Sequence, residues 1–204
     1  MLEPPVDVLS NLPPITWALV ACAAVLGWGL SWLWRWYRLR RARKALIAAV
    51  TAVGTDYLKD VLVPDGMGSY YHVDFVLRTP RGAVVVDLRD VAGNVFGGDQ
   101  MNEWTVMNGS NRFTFVNPQS ALYDRIAAVK ALAGDMPVEG RIIFTRRAKF
   151  PKGLPKWTLM LDSLGRDFPS IEGAGGRDAY EQPWGNIKGA VSPSSLNSSR
   201  QITA

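Results

Sequence analysis

Cysteine is nearly missing from this 204-residue chain: Cys22 is the only one. That excludes intramolecular disulfides, and it also excludes a zinc cluster or a cysteine nucleophile in the part of the chain after the first apolar run. Histidine is as scarce, with His72 alone. No internal repeat is visible. Also lacking is any cation ahead of the first apolar run, where Glu3 and Asp7 are the only charges. A cleaved signal peptide needs positive charge there and a shorter apolar stretch, so that reading fails. A basic excess is missing where nucleic-acid binding would use it. The formal net charge is +5, but two acids in residues 1–34 and six cations in residues 35–44 leave only +1 for residues 45–204. Composition alone therefore gives no argument for a polycationic domain.

What is present begins with Ile15 to Trp34, a run of twenty residues without a charge. As a helix rising about 1.5 Å per residue it reaches about 30 Å, the thickness of a bilayer core. Trp17 stands near one end, and Trp32, Trp34, Trp36 and Tyr37 form an interfacial belt at the other. Arg35, Arg38, Arg40, Arg41, Arg43 and Lys44 follow it. The positive-inside rule then places the amino terminus outside and the carboxy-terminal domain in the cytoplasm, as a single-pass protein of a bacterial inner membrane. Residues 35–44 are expected to meet anionic lipids, each cation contributing about 1 kcal/mol. Leu19-Val20-Ala21-Cys22 resembles a lipoprotein processing box, but it lies in mid-span with no basic residue before it.

Five segments follow from these patterns: a short extracytoplasmic stretch (1–14), the span (15–34), a basic amphipathic helix (35–53), a folded domain (54–168) and a tail (169–204). In the helix, Leu39, Ala42, Leu46, Ala49, Val50 and Val53 make an apolar stripe among the cations. Strands are predicted over Leu58–Val63, His72–Thr79, Ala83–Arg89, Thr105–Met107, Arg112–Val116 and Val138–Thr145, with another at Trp157–Leu161. Asn108-Gly109 marks a hairpin turn. Asn117-Pro118 caps a helix to about Ala133 whose inner face carries Leu122, Ile126, Val129 and Leu132. A crossover through that helix can return Val138–Thr145 to the same sheet. A short helix is predicted over Asp162–Asp167. From Ser170 on, Gly, Ser, Asn and Pro dominate, and disorder is expected because little apolar area offsets the ordering entropy.

The candidate chemistry lies in Tyr71 to Trp104, YHVDFVLRTPRGAVVVDLRDVAGNVFGGDQMNEW. A hairpin through Pro80-Arg81-Gly82 brings Asp74 on one strand beside Asp87 and Arg89 on the next. Alternate strand residues share a face, so Asp87 and Arg89 point the same way. Val84, Val85, Val86 and Leu88 make this a buried strand, a poor place for Asp87 without a partner. A divalent cation shared with Asp74 supplies one; a salt bridge to Arg89 supplies another.

The stretch resembles the nuclease-related domain, a branch of the PD-(D/E)xK restriction-endonuclease-like superfamily. The resemblance runs from about Asp56 to Phe168. It is carried in order by Val73-Asp74-Phe75, Gly82, Val86-Asp87-Leu88-Arg89, Gly93-Asn94-Val95-Phe96-Gly97, Trp104 and Asn117-Pro118. It implies an α/β fold with a mixed sheet flanked by helices, and a Mg²⁺ or Mn²⁺ ion held by Asp74 and Asp87. Arg89 then stabilises charge on the phosphate. Two departures stand out: Asp87 replaces the family's usual Glu, and Arg89 its usual Lys. A guanidinium stays protonated and offers a planar fork where an ammonium is a compact charge. The site is thus expected to hydrolyse nucleic acid, or to bind it without hydrolysis, or to serve as a protein-docking surface in which Asp87 simply pairs with Arg89. Metal binding separates the first reading from the others. Further candidate nucleic-acid contacts are His72, two before Asp74 on the same face, Gln119 after the Asn-Pro pair, and the basic residues Arg146, Arg147 and Lys149. Asp99 and Glu103 are read as solvated, and Trp104 as core.

Overall fold

The computed structural model describes residues 14–168 and 180–194. The chain divides into two units, residues 1–47 and 48–204. The first is dominated by helix α1, Pro14–Thr51, whose last turn belongs to the second unit. Its apolar side chains are exposed on every side: Leu19, Val25, Leu26, Trp28, Leu30, Trp32 and Leu33 are all more than half accessible. A helix apolar all round has no single face to bury against a water-soluble core. By length and composition it can cross a membrane.

The second unit is a mixed α/β domain with two sheets. Strands β1 (Asp56–Pro64), β2 (Tyr70–Thr79) and β3 (Gly82–Arg89) form an antiparallel meander. Next in the chain come β4 (Gly93–Phe96), β5 (Glu103–Asn108) and β6 (Asn111–Val116), then helix α2 (Pro118–Ala133). Strand β7 (Val138–Phe144) returns parallel to β3, from Ala83↔Val138 to Arg89↔Phe144, as the predicted crossover requires. The rest comprises β8 (Ala148–Lys149), β9 (Thr158–Met160), a 3-10 turn at Leu161–Ser163, α3 (Leu164–Asp167), α4 (Glu181–Ala190) and β10 (Ser192–Pro193). One sheet has the order β10-β1-β2-β3-β7-β9 and the other β6-β5-β4-β8. The mixed α/β architecture with flanking helices is as expected; its strands divide between two sheets, since β4 leaves β3 to pair with β5 and β8.

Helix α2 begins as predicted: the Asn117 carboxamide oxygen accepts from the Gln119 N–H and Pro118 takes the first turn, where its missing donor costs nothing. The helix lies close on β7. A Cβ on Gly140 would come within 2.4 Å of Ile126 Cδ1 and 3.0 Å of Leu122 Cδ1, so only glycine permits that approach. Trp104 is fully buried, as expected, with its ring against Phe115, Phe144 and Phe150 at centroid distances of 5.9, 6.1 and 6.4 Å. Because Phe144 belongs to β7 and Phe115 to β6, this aromatic cluster joins the two sheets.

The tail needs a correction. Residues 180–194 are ordered into α4 and β10, and Trp184 and Ile187 are buried in the core. The Trp184 indole N–H donates to Asp56 Oδ2 at 2.9 Å, Lys188 pairs with the same carboxylate, and β10 adds to the edge of β1. Average composition hid this, because two apolar residues three apart suffice to seat one helical turn among Gly, Asn and Lys. The rest of the predicted tail lies outside the described residues.

Candidate metal and phosphate site

Register builds the site. In the β1–β2 ladder Lys59 faces Phe75 and Val61 faces Val73, so Asp60, which itself makes no ladder pair, falls between them opposite Asp74. In the β2–β3 ladder the last pair is Phe75 with Val86, so the next step sets Asp74 across from Asp87. Three carboxylates thus occupy one cross-strand row on adjacent strands. Like charges opposite one another destabilise a sheet, so each acid needs a partner.

Asp87 has strong ones. It is only 3% exposed. Arg89 Nη2 donates to its Oδ2 at 2.8 Å, and Arg125 Nη1 on α2 donates to the same oxygen at 2.9 Å. Arg89 Nε lies 2.8 Å from Oδ1; its N–H is not aimed to make a hydrogen bond, so this contact is ionic. Both oxygens are occupied by guanidinium groups. The salt bridge to Arg89 considered from the sequence is therefore formed, and a cation at Asp87 would have to lie beside two guanidinium charges. The two arginines leave this trio with one net positive charge, and both side chains remain partly accessible.

Asp74 is different. Its Oδ2 accepts the Leu88 N–H at 2.8 Å, a donor released where the β2–β3 ladder ends. Its Oδ1 lies 3.7 Å from His72 Nδ1. Burial, and next the negative charge of Asp87, push the Asp74 carboxyl above the usual carboxylate range, against the Leu88 hydrogen bond and the charges of His72 and Arg125. His72 Nε2 in turn lies 3.8 Å from Asp60 Oδ1, and one ligand atom from each of Asp60, His72 and Asp74 falls within 4.8 Å of the others. Such a group can hold a metal ion.

Gln119 is not placed to meet nucleic acid. It is buried, its amide N–H groups donate to Asp99 Oδ1 at 2.8 Å and to the Lys156 carbonyl at 2.9 Å, and its Oε1 accepts from Asn117 Nδ2. Asp99, read as solvated, also accepts the Lys156 N–H. The Gln119 amide, then the Lys156 N–H, hold the Asp99 carboxyl below its ordinary range. This clasp ties the 97–102 loop and the 155–157 loop to the start of α2. The basic residues are exposed but partly committed: Arg146 pairs with Asp162, and Arg147 with Asp90, the neighbour of Arg89. Lys149 lies on β8 of the smaller sheet, while the acids lie on the larger.

Two residues of the site were missed in the sequence. Arg125 sits three after Leu122 and one before Ile126, a cation on an apolar stripe, and that was the signal. Asp60 interrupts the apolar pattern of Leu58–Val63 in the same way.

A family model described as a nuclease-related domain matches residues 39–145. This chain belongs to that family. The matched region runs from the last part of α1 through β7, and so contains Asp60, His72, Asp74, Asp87, Arg89 and Arg125. No curated protein and no solved structure matches the chain. Set beside the nuclease-related domain pattern, the Asp-Leu-Arg departure has a structural counterpart in this chain: the longer fork of Arg89 reaches back to Asp87, and Arg125 closes the same carboxylate from above.

Proposed function

We propose that this nuclease-related protein hydrolyses nucleic-acid phosphodiesters with the help of a divalent cation, Mg²⁺ or Mn²⁺, while anchored to a membrane. The observation that carries the reading is the state of Asp74: a mostly buried carboxylate beside a second carboxylate, met among the described residues by one backbone N–H, a histidine ring and the more distant charge of Arg125. A cation bound there relieves the burial cost that the protein leaves unmet. When bound, it polarises the scissile phosphate and lowers the pKa of attacking water. Asp74 is the residue positioned to hold it. Arg89 and Arg125, held by Asp87 and partly accessible, would be the groups to stabilise charge on the phosphate oxygens. The test is nicking of supercoiled plasmid and of RNA by the full chain in detergent, with Mg²⁺ or Mn²⁺ and with EDTA. Cleavage that vanishes in EDTA and in Asp74→Ala supports the reading, whereas equal cleavage by Asp74→Ala refutes the site.

A second reading, non-hydrolytic nucleic-acid binding, is favoured by the double occupation of Asp87. Its net-positive trio attracts a phosphate without any metal. Binding of labelled oligonucleotide in EDTA that weakens steeply with salt, together with no cleavage, distinguishes it.

The anchor is α1, with the amino terminus outside and the domain in the cytoplasm of a bacterial cell. Arg38 lies 4.7 Å over the Trp34 ring and Arg40 3.6 Å over Trp36, pairs four residues apart that suit an interface of anionic headgroups. A carboxy-terminal phosphatase fusion that stays in the cytoplasm and is inactive is the expected result, and one active in the periplasm contradicts the orientation.

A further inference from the structure

We propose that the cation site is Asp60, His72 and Asp74, with Asp60 a ligand in its own right and Asp87 outside the coordination sphere. The inference rests on the hydrolytic reading for its purpose but not for its chemistry. The pair of acids that the family pattern names is not the set the fold presents. Asp87 is enclosed, and both its oxygens face guanidinium groups. On the other side of Asp74 the arrangement is open and graded: the side chains of Asp74, His72 and Asp60 are 13, 32 and 43% exposed, a path from solvent inward.

The two aspartates are held in matching ways. Asp74 Oδ2 is occupied by the Leu88 N–H, and Asp60 Oδ2 by Lys59 Nζ at 2.9 Å. Each leaves its Oδ1 turned to the same imidazole, at 3.7 and 3.8 Å from its two nitrogens. One oxygen tied down and the other presented is how outer partners orient metal-binding carboxylates. The ring stands between the two Oδ1 atoms with one nitrogen toward each, and a cation bound by both oxygens and one ring nitrogen requires the ring to swing aside. Asp60 is also singular in its backbone: φ is +50°, it forms no pair with Asp74 in the ladder, and its carbonyl instead accepts the Ser194 N–H at 2.8 Å. Ser194, just after β10, thus fixes the backbone at the outermost ligand.

A nitrogen in the donor set has a consequence. Imidazole suits transition cations, whereas Mg²⁺ favours oxygen and retains its waters, so Mn²⁺ should bind better than Mg²⁺.

The experiment is Mn²⁺ titration of the full chain in detergent, followed by electron paramagnetic resonance and calorimetry, with pulsed detection of nitrogen coupling. Bound Mn²⁺ should show coupling to one histidine nitrogen, lost in His72→Gln. Asp60→Asn and His72→Gln should each weaken binding by about tenfold or more. Lys152→Gln, whose ammonium lies over the Phe96 ring of the smaller sheet, should bind Mn²⁺ within about twofold of the parent. Bound Mn²⁺ without nitrogen coupling overturns the inference, as does unchanged affinity in Asp60→Asn; either leaves the hydrolytic reading standing on the family pair. Nitrogen-coupled Mn²⁺ without cleavage of any nucleic acid supports the site and removes the hydrolytic reading. Absence of Mn²⁺ binding overturns both, and the imidazole is then a bridge between two carboxylates.

Discussion

Replacing Arg125 by methionine tests the site where it joins the core. The side chain is about four-fifths buried, and it crosses from α2 to Asp87, which is 3% exposed. Methionine keeps the length and apolar bulk of the stem and removes one charged hydrogen bond of 2.9 Å. Removing the partner of a buried charge, which leaves that charge uncompensated, costs about 3–5 kcal/mol. Arg89 remains on both carboxylate oxygens, so the loss is nearer that of a single charge-assisted bond, about 2 kcal/mol. For a domain of this size that lowers the midpoint by about 4–8 °C. The assay is thermal unfolding of the full chain in detergent at neutral pH with EDTA, followed by tryptophan fluorescence. A cycle with Asp87→Asn should give a coupling of about 1.5–3 kcal/mol, because the two changes share one contact. If Arg125→Met melts with the parent and the cycle shows no coupling, Arg125 does not neutralise Asp87, and the argument that Asp87 is closed to a cation loses its main support.

Arg89→Lys should free Asp87 Oδ1, restore the ammonium typical of the family and raise metal-dependent plasmid nicking; Asp74→Ala placed on top should abolish the gain, and no gain at all would remove the view that Arg89 weakens the chemistry. Asp56 is held below the usual carboxylate range: burial raises it, but hydrogen bonds from Lys188, Trp184 and the Tyr57 N–H outweigh that. Its folded pKa lies below its unfolded value, so its stabilisation is present above the unfolded value and is lost as pH falls through the folded one. Asp56→Asn should therefore melt lower than the parent at neutral pH and approach it in acid, and a gap that widens in acid contradicts the assignment. Gly140→Ala forces a methyl against Ile126 and should cost about 1–3 kcal/mol, measured by urea unfolding. Adding Ile126→Val, which removes the closest atom, should recover part of it.

The sequence by itself determined what depends on local pattern. A twenty-residue uncharged run followed by six cations specifies a helix fit to cross a membrane, because length and charge are counted along the chain. Alternating apolar residues, the Gly82 turn and the Asn117-Pro118 cap specify the β2–β3 hairpin and the start of α2, since each rests on neighbours in sequence. The ordered motifs sufficed to place the chain among nuclease-related domains. What no local pattern contained was partnership across strands. That β4 would leave to found a second sheet depends on the packing of Trp104 between Phe115, Phe144 and Phe150, which come from distant segments. That α4 would be ordered depends on Asp56 waiting for Trp184, 128 positions away. At the site, Asp74, Asp87 and Arg89 could be named from spacing, but which charge faces which could not. Arg125 reaches Asp87 only because Gly140 lets α2 lie close on β7, and Asp60 reaches His72 only because register sets β1 beside β2. Electrostatic pairing acts over a few ångströms in space, so the tertiary structure alone decided that Asp87 is enclosed by arginines and that Asp74 looks toward Asp60 and His72.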